Sequence, residues 1–276
     1  MTVDHTVNTV TAPNDGPRSF SWLCWLLPIL PLLLWAIAHY AIPEPALFYL
    51  INHQAQSLPD VFWGFFVFLG NGWGIYSLVF PLALLAPRLL ATGVLSGLIA
   101  GLASRALKLW LDFPRPASVL DNSTFHIVGN PLLHLSLPSG HTLTAFAVAA
   151  AFYFSIDAVK RKYAWILFLI AMGTGLARVA VGAHWPADVF AGACVGILSG
   201  LIGASVCNRM PDASFNRKSR LHWILMIGAL VDAYILSSTV LDFTTNHPYQ
   251  MIGMIVLAIT LFSLAAQVVA DSRRRG

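Results

Sequence analysis

Charge is scarce in this chain: of 276 residues, 10% are Asp, Glu, Lys or Arg, against 57% hydrophobic residues. So little charge, with a mean hydropathy of +0.71, excludes an ordinary soluble domain and marks an integral membrane protein. Cysteine is scarce too. Cys24, Cys194 and Cys207 fall in or at the ends of apolar runs, with no paired framework and no metal-ligand spacing, which leaves packing as their role. No carboxylate cluster or His/Cys set suggests a catalytic metal, and no cofactor is expected. Low-complexity linkers and repeats of solenoid period are also missing. The net charge of +4 reflects membrane topology and not nucleic-acid binding.

What the chain does have is long apolar runs. A helix crosses about 30 Å of hydrocarbon with about 20 apolar residues. Eight stretches are read as spans: 21–42, 61–86, 89–111, 138–159, 163–183, 186–207, 221–241 and 251–270. The first is read as a retained span, because it is long, follows little positive charge and lacks a small-residue cleavage site. The expected architecture is an all-α polytopic membrane bundle: a polar arm over 1–20, a six-span core over 21–207, then a connector and two further spans over 208–276. Those last two spans carry no obvious constellation and look like an appendage. Gly192, Gly196 and Gly200 lie on one helical stripe, with Gly97 and Gly101 as a second pair, and are assigned to close helix packing.

Orientation follows from lysine and arginine, which collect on the cytoplasmic side. With the N-terminus inside, Arg18, Arg88, Lys160 to Lys162, Arg209, Arg217, Lys218, Arg220 and Arg273 to Arg275 are all cytoplasmic. Arg105, Lys108, Arg115 and Arg178 then lie at the outer face, and as ionisable residues at a membrane boundary they need a reason.

Three polar groups converge on that outer level. They are "KLWLDFPRP" with Lys108 and Arg115, "PSGH" with Ser139, Gly140 and His141, and "ARVAVGAHWPAD" with Arg178, His184 and Asp188. Lys108, Arg115 and Arg178 supply charge and donors suited to a phosphate. Ser139 and Gly140 stand at a helix start, where free N–H groups and the helix dipole favour an anion. His184 and Asp188 are four apart, so helical geometry extended back to His184 would pair them, although Pro186 complicates that geometry. A histidine oriented by a carboxylate is a nucleophile, and His141 can protonate the leaving oxygen.

Taken singly, these features are bland: snorkelling cations, a helix cap, interfacial histidines. Their joint occurrence at one depth is not. Lys-x6-Arg-Pro, Pro-Ser-Gly-His and Arg-x5-His-x3-Asp together resemble the three-part signature of the type 2 phosphatidic acid phosphatase family, shared with vanadium haloperoxidases. The resemblance covers 108–188 and the spans around it. It implies His184 as the nucleophile of a phosphohistidine, Asp188 as its orienting partner and His141 as the general acid. Lys108, Arg115, Ser139, Gly140 and Arg178 would hold phosphoryl oxygens.

It also implies a phosphatase of lipid phosphates, and the lysine and arginine distribution places it in the plasma (inner) membrane with both termini cytoplasmic and the site outside. Undecaprenyl pyrophosphate, phosphatidic acid, phosphatidylglycerol phosphate and lipid A phosphates are the candidate substrates. Phosphotransfer to another lipid, or binding and transport of anionic lipids without catalysis, are the competing readings. One departure is Ala177, where the family usually has Ser before the arginine.

Overall fold

The computed structural model describes residues 20–273, so the polar arm with Arg18, and Arg274 and Arg275, lie outside the described residues. Backbone groups in hydrocarbon find no water, and the chain satisfies them within helices. Among the described residues there is no strand. Six helical segments among the described residues are long and apolar enough to cross a bilayer, and the bent pair Asp60–Gly70 and Gly72–Val79 makes a seventh if counted as one crossing. The all-α polytopic bundle is therefore as expected. Leu102, Trp110 and Phe262 stand 74%, 80% and 77% exposed, apolar surface that a bilayer covers.

Two of the eight expected spans differ in form. The 61–86 stretch divides into α3 (Asp60–Gly70), α4 (Gly72–Val79) and α5 (Leu82–Leu85), preceded by α1 (Ile29–Tyr40) and α2 (Glu44–Ala55). The axis turns by 77° between α3 and α4. Asn71 causes the turn: it is extended, with ψ at 130°, and its Oδ1 accepts from Trp73 N at 3.0 Å to cap α4. The 138–159 stretch holds a helix over Gly140–Ser155, 16 residues, after α6 (Pro87–Leu111) and α7 (Pro116–Val119), and its last two positions already belong to the next helix. We call this short helix α8. It is followed by α9 (Ala158–Ala164), α10 (Ile166–Ala180), α11 (Pro186–Arg209), α12 (Arg220–Ser238) and α13 (His247–Arg273).

Helix α8 is the hub, buried along most of its length against α6, α10 and α11. Lipid tails are as apolar as leucine, so helices associate in a bilayer by close packing and polar contacts. Here the glycine stripe provides the closeness. A Cβ on Gly196 would lie 2.5 Å from the Leu143 carbonyl oxygen, and one on Gly200 2.4 Å from Ala150 Cβ. In the second pair, Gly97 lies against Tyr76, but Gly101 meets open space and lines a cavity instead.

The last two spans are no appendage. Both α12 and α13 pack on α4, and Phe68, Phe80, Leu225, Leu236 and Leu257 share one apolar cluster. Their connection is held from two sides. Gln250 Oε1 accepts from Leu241 N at 3.1 Å while its Nε2 donates to the carbonyls of Leu236 and Thr239, and Phe243 packs on the cluster of Val128, Ala180 and Val181.

Charge separates along α6. Arg88, near its start, bonds Asp212 and the carbonyls of Cys207 and Met210. Lys108 lies 20 residues on, about 30 Å further along the axis.

Candidate active site

The turn from α10 into α11 places the central histidine. Gly182 takes φ +75°, its N–H donates to Val179 O at 3.0 Å and that of Ala183 to Arg178 O at 3.0 Å, which closes α10 with paired carbonyl caps. The next residue, His184, therefore leaves the helix end at a fixed angle. Pro186 occupies the first turn of α11, and Asp188 folds back so that Oδ2 accepts from Trp185 N at 3.0 Å. The same oxygen meets His184 Nδ1 at 3.1 Å and accepts from Ser136 Oγ. The expected pair forms, but not by an extended helix face: Asp188 reaches His184 as the carboxylate that caps α11.

Donor logic fixes the tautomer. An ionised carboxylate only accepts and a guanidinium only donates. With Asp188 on Nδ1 and Arg115 Nη1 3.1 Å from Nε2, His184 carries its proton on Nδ1 and its lone pair on Nε2. Only 2% of the residue is exposed, and burial, followed by the charges of Arg115, Arg178 and Lys108, holds its pKa well below the ordinary 6.5.

Two of the three expected cations also lace the preceding loop. Arg115 donates to the carbonyls of His134 (2.8 Å), Leu135 (3.3 Å) and Ala183 (2.9 Å), and Lys108 to those of Leu135 and Ser136. Arg178 differs. It is 3% exposed, and its Nε and Nη1 have no hydrogen-bond partner within the protein. Buried donors without acceptors are costly, on the order of 1 to 3 kcal/mol each, so this guanidinium is set for an anion.

Ser139 is fully buried; its N–H donates to Asp188 O at 3.0 Å and its Oγ accepts from Thr142 at 2.9 Å. The serine thus ties α8 to α11, and the first free amides of α8 begin at Gly140. Ala177 faces the apolar cluster of Trp63, Val67 and Val128.

His141 opens onto a cavity of about 270 Å³ between α6, α8 and the α3–α4 break, lined by Asn71, Gly101, Ser104, Arg105, Lys108 and Gly140. Its Nε2 lies 3.0 Å from Oδ1 of Asp242, in the α12–α13 connection, and Asn71 Nδ2 donates to Asp242 Oδ2 at 2.9 Å. Sequence reasoning missed Asp242, Asn71 and Ser136. Ser136 could have been suspected from "HLSLPSGH", but nothing in "DFTTNHPYQ" announces a contact with His141. His126, in the loop between α7 and α8, pairs with Asp60 at 2.7 Å. Among the described residues no group of His, Cys, Asp and Glu could hold a metal.

A membrane helix bundle with a carboxylate-oriented histidine, a second histidine and three cations at one end defines a class of anion-handling site. The chain belongs to the PAP2 superfamily, whose profile matches residues 88–212. A solved structure, LpxE of Aquifex aeolicus, is similar at 33% identity and a TM-score of 0.52, covering 58% of this chain and 93% of that one. The "Lipid A 1-phosphatase" of Porphyromonas gingivalis is 43% identical over 68 residues, 25% of this chain and 15% of that protein. The "Undecaprenyl-diphosphatase BcrC" of Bacillus subtilis is 34% identical over 105 residues, 38% of this chain and 51% of that protein. The chain thus spans about half or less of these curated relatives.

Proposed function

We propose that this protein is a multi-pass phosphatase of lipid phosphates that works through a phosphohistidine on His184, without a metal. The observation that carries the reading is the fixed His184 tautomer, with the Nε2 lone pair turned toward buried cations. The two relatives named for a lipid A phosphate and an undecaprenyl diphosphate support a lipid substrate. The cation-rich lining repels a metal ion and suits an anion.

In the first step Arg115 turns from Nε2 to a phosphoryl oxygen and Nε2 attacks phosphorus. A P–N bond forms, the P–O bond to the lipid breaks, and His141 gives its proton to the departing oxygen. In the second, water attacks phosphorus, His141 takes its proton, the P–N bond breaks and inorganic phosphate leaves. Arg178, Lys108 and the amides from Gly140 onward stabilise charge on the transferring group. Ser139 holds α8 against α11 so that those amides face the phosphate. The cavity beside His141 admits the headgroup while the tail stays in lipid. The six-span core over 21–207 carries the chemistry, and the site faces the outside of the plasma (inner) membrane.

The test is phosphate release from a panel of lipid phosphates in detergent with EDTA, for the wild type and His184→Ala. Turnover that survives EDTA and vanishes in His184→Ala is expected. Equal turnover in both proteins, or activity lost to chelation and restored by a metal, overturns the reading.

A further inference from the structure

The α12–α13 connection delivers a carboxylate to the second histidine. Asp242 sits in left-handed backbone at φ 57°, a conformation aspartate tolerates better than most residues. Its side chain is 14% exposed, and its two oxygens have different partners: Oδ2 accepts from Asn71, and Oδ1 lies 3.0 Å from His141 Nε2. Asn71 cannot readily turn away, because its own Oδ1 caps α4 at Trp73. The break in the second span, the cap of α4 and the loop of the last two spans thus meet on one imidazole. The family profile ends at residue 212, before α12, so this carboxylate comes from outside the matched region.

We infer that Asp242 is a positioning residue of the reaction, which orients His141 and favours its protonated form as the general acid. The inference rests on the phosphatase reading above. It addresses a difficulty of that site, since a general acid must hold its proton among cations. His141 faces Arg178 from α10, Arg115 from the α6–α7 connection and His184 from the α10–α11 turn, with Lys108 and Arg105 of α6 across the cavity. The α3–α4 break faces it with the neutral Asn71. Burial first, and then each cation, oppose an imidazolium, and the carboxylate that favours it is Asp242. Burial pushes the Asp242 carboxyl up, but His141, Arg178 and the Asn71 bond outweigh it and hold the pKa below the usual carboxylate value. Asp242 thus stays ionised throughout the working range. Asp188 and Asp242 then have opposite tasks: one fixes the tautomer of a neutral imidazole and the other favours a charged one.

The experiment is the pH dependence of phosphate release by the full chain, for the wild type, Asp242→Asn, Asp242→Glu and His184→Ala. Loss of the carboxylate is expected to lower kcat about 10- to 100-fold with little change in KM, and to move the alkaline limb about one unit toward lower pH. Asp242→Glu should return part of both. The limb's position does not depend on the fraction of folded protein, so a misfolding variant still reads out. A slower Asp242→Asn with unmoved limbs would mean a structural role only and overturn the inference, as would unchanged or raised activity. If the wild type itself shows no turnover that His184→Ala removes, the phosphatase reading falls and this inference with it. If that control behaves as expected and Asp242→Asn matches the wild type, the positioning role alone falls.

Discussion

At the scale of single residues the site works by opposed environments. His184 has an anion on Nδ1 and a cation on Nε2, and burial plus the surrounding positive charge favours its neutral form. As the proposed nucleophile, His184 must be neutral and fails only as pH falls through its own pKa, so the acidic limb of kcat/KM is expected below pH 6.5, the ordinary histidine value. A limb at or above that value, in a pH series on the purified protein, would contradict the depressed pKa. Asp188→Asn keeps the shape but loses the charge that fixes the tautomer, and by analogy with other triads kcat should fall about 10³- to 10⁴-fold. These residues were legible in the sequence because turn chemistry and short spacing place them together. Arg178 through Asp188 needs only the end of α10, a glycine and the start of α11. Asp242 was illegible for the opposite reason, since its partner lies several helices away and its own neighbours form no pattern.

Helices were predictable where apolar length sufficed, and less so where a polar side chain interrupts it. Asn71 lies inside a run apolar enough to pass as one span, yet capping α4 costs little and turns the axis by 77°. Gly182 is the corresponding device at the end of α10. Its φ of +75° is costly for any residue with a side chain, by about 1 to 2 kcal/mol, and a Cβ there would lie 2.5 Å from the His126 carbonyl oxygen. Gly182→Ala should therefore lower thermal stability and shift the exit angle of His184. Misplacement by about 1 Å can cost 100-fold in rate, so kcat should fall much further than loss of folded protein explains. A variant that is destabilised but has wild-type kcat per folded molecule would show that the turn supports the fold and not the nucleophile.

For the whole molecule, the axial separation of charge ties fold to function. Arg88 and its partners at the α11 terminus occupy one end of the bundle, and Lys108, Arg115, Arg178, the two histidines and Asp242 gather at the other. Lysine and arginine held by helix ends and headgroups belong to the cytoplasmic side, whereas cations enclosed around an anion site follow the substrate. The proposed orientation puts the exposed 121–124 segment outside and the 216–218 connector inside. The native cysteines are well suited to a test, because Cys194 and Cys207 are buried and Cys24 is half-buried in an apolar segment. In intact cells a membrane-impermeant maleimide should label Ser123→Cys directly and Asn216→Cys only after permeabilisation. The reverse pattern would turn the molecule over and bring its substrate from the cytoplasmic leaflet. With the expected pattern, the carboxylate on His141 and the lone pair on His184 face a lipid phosphate arriving from the outer leaflet, through the cavity between α6, α8 and the α3–α4 break.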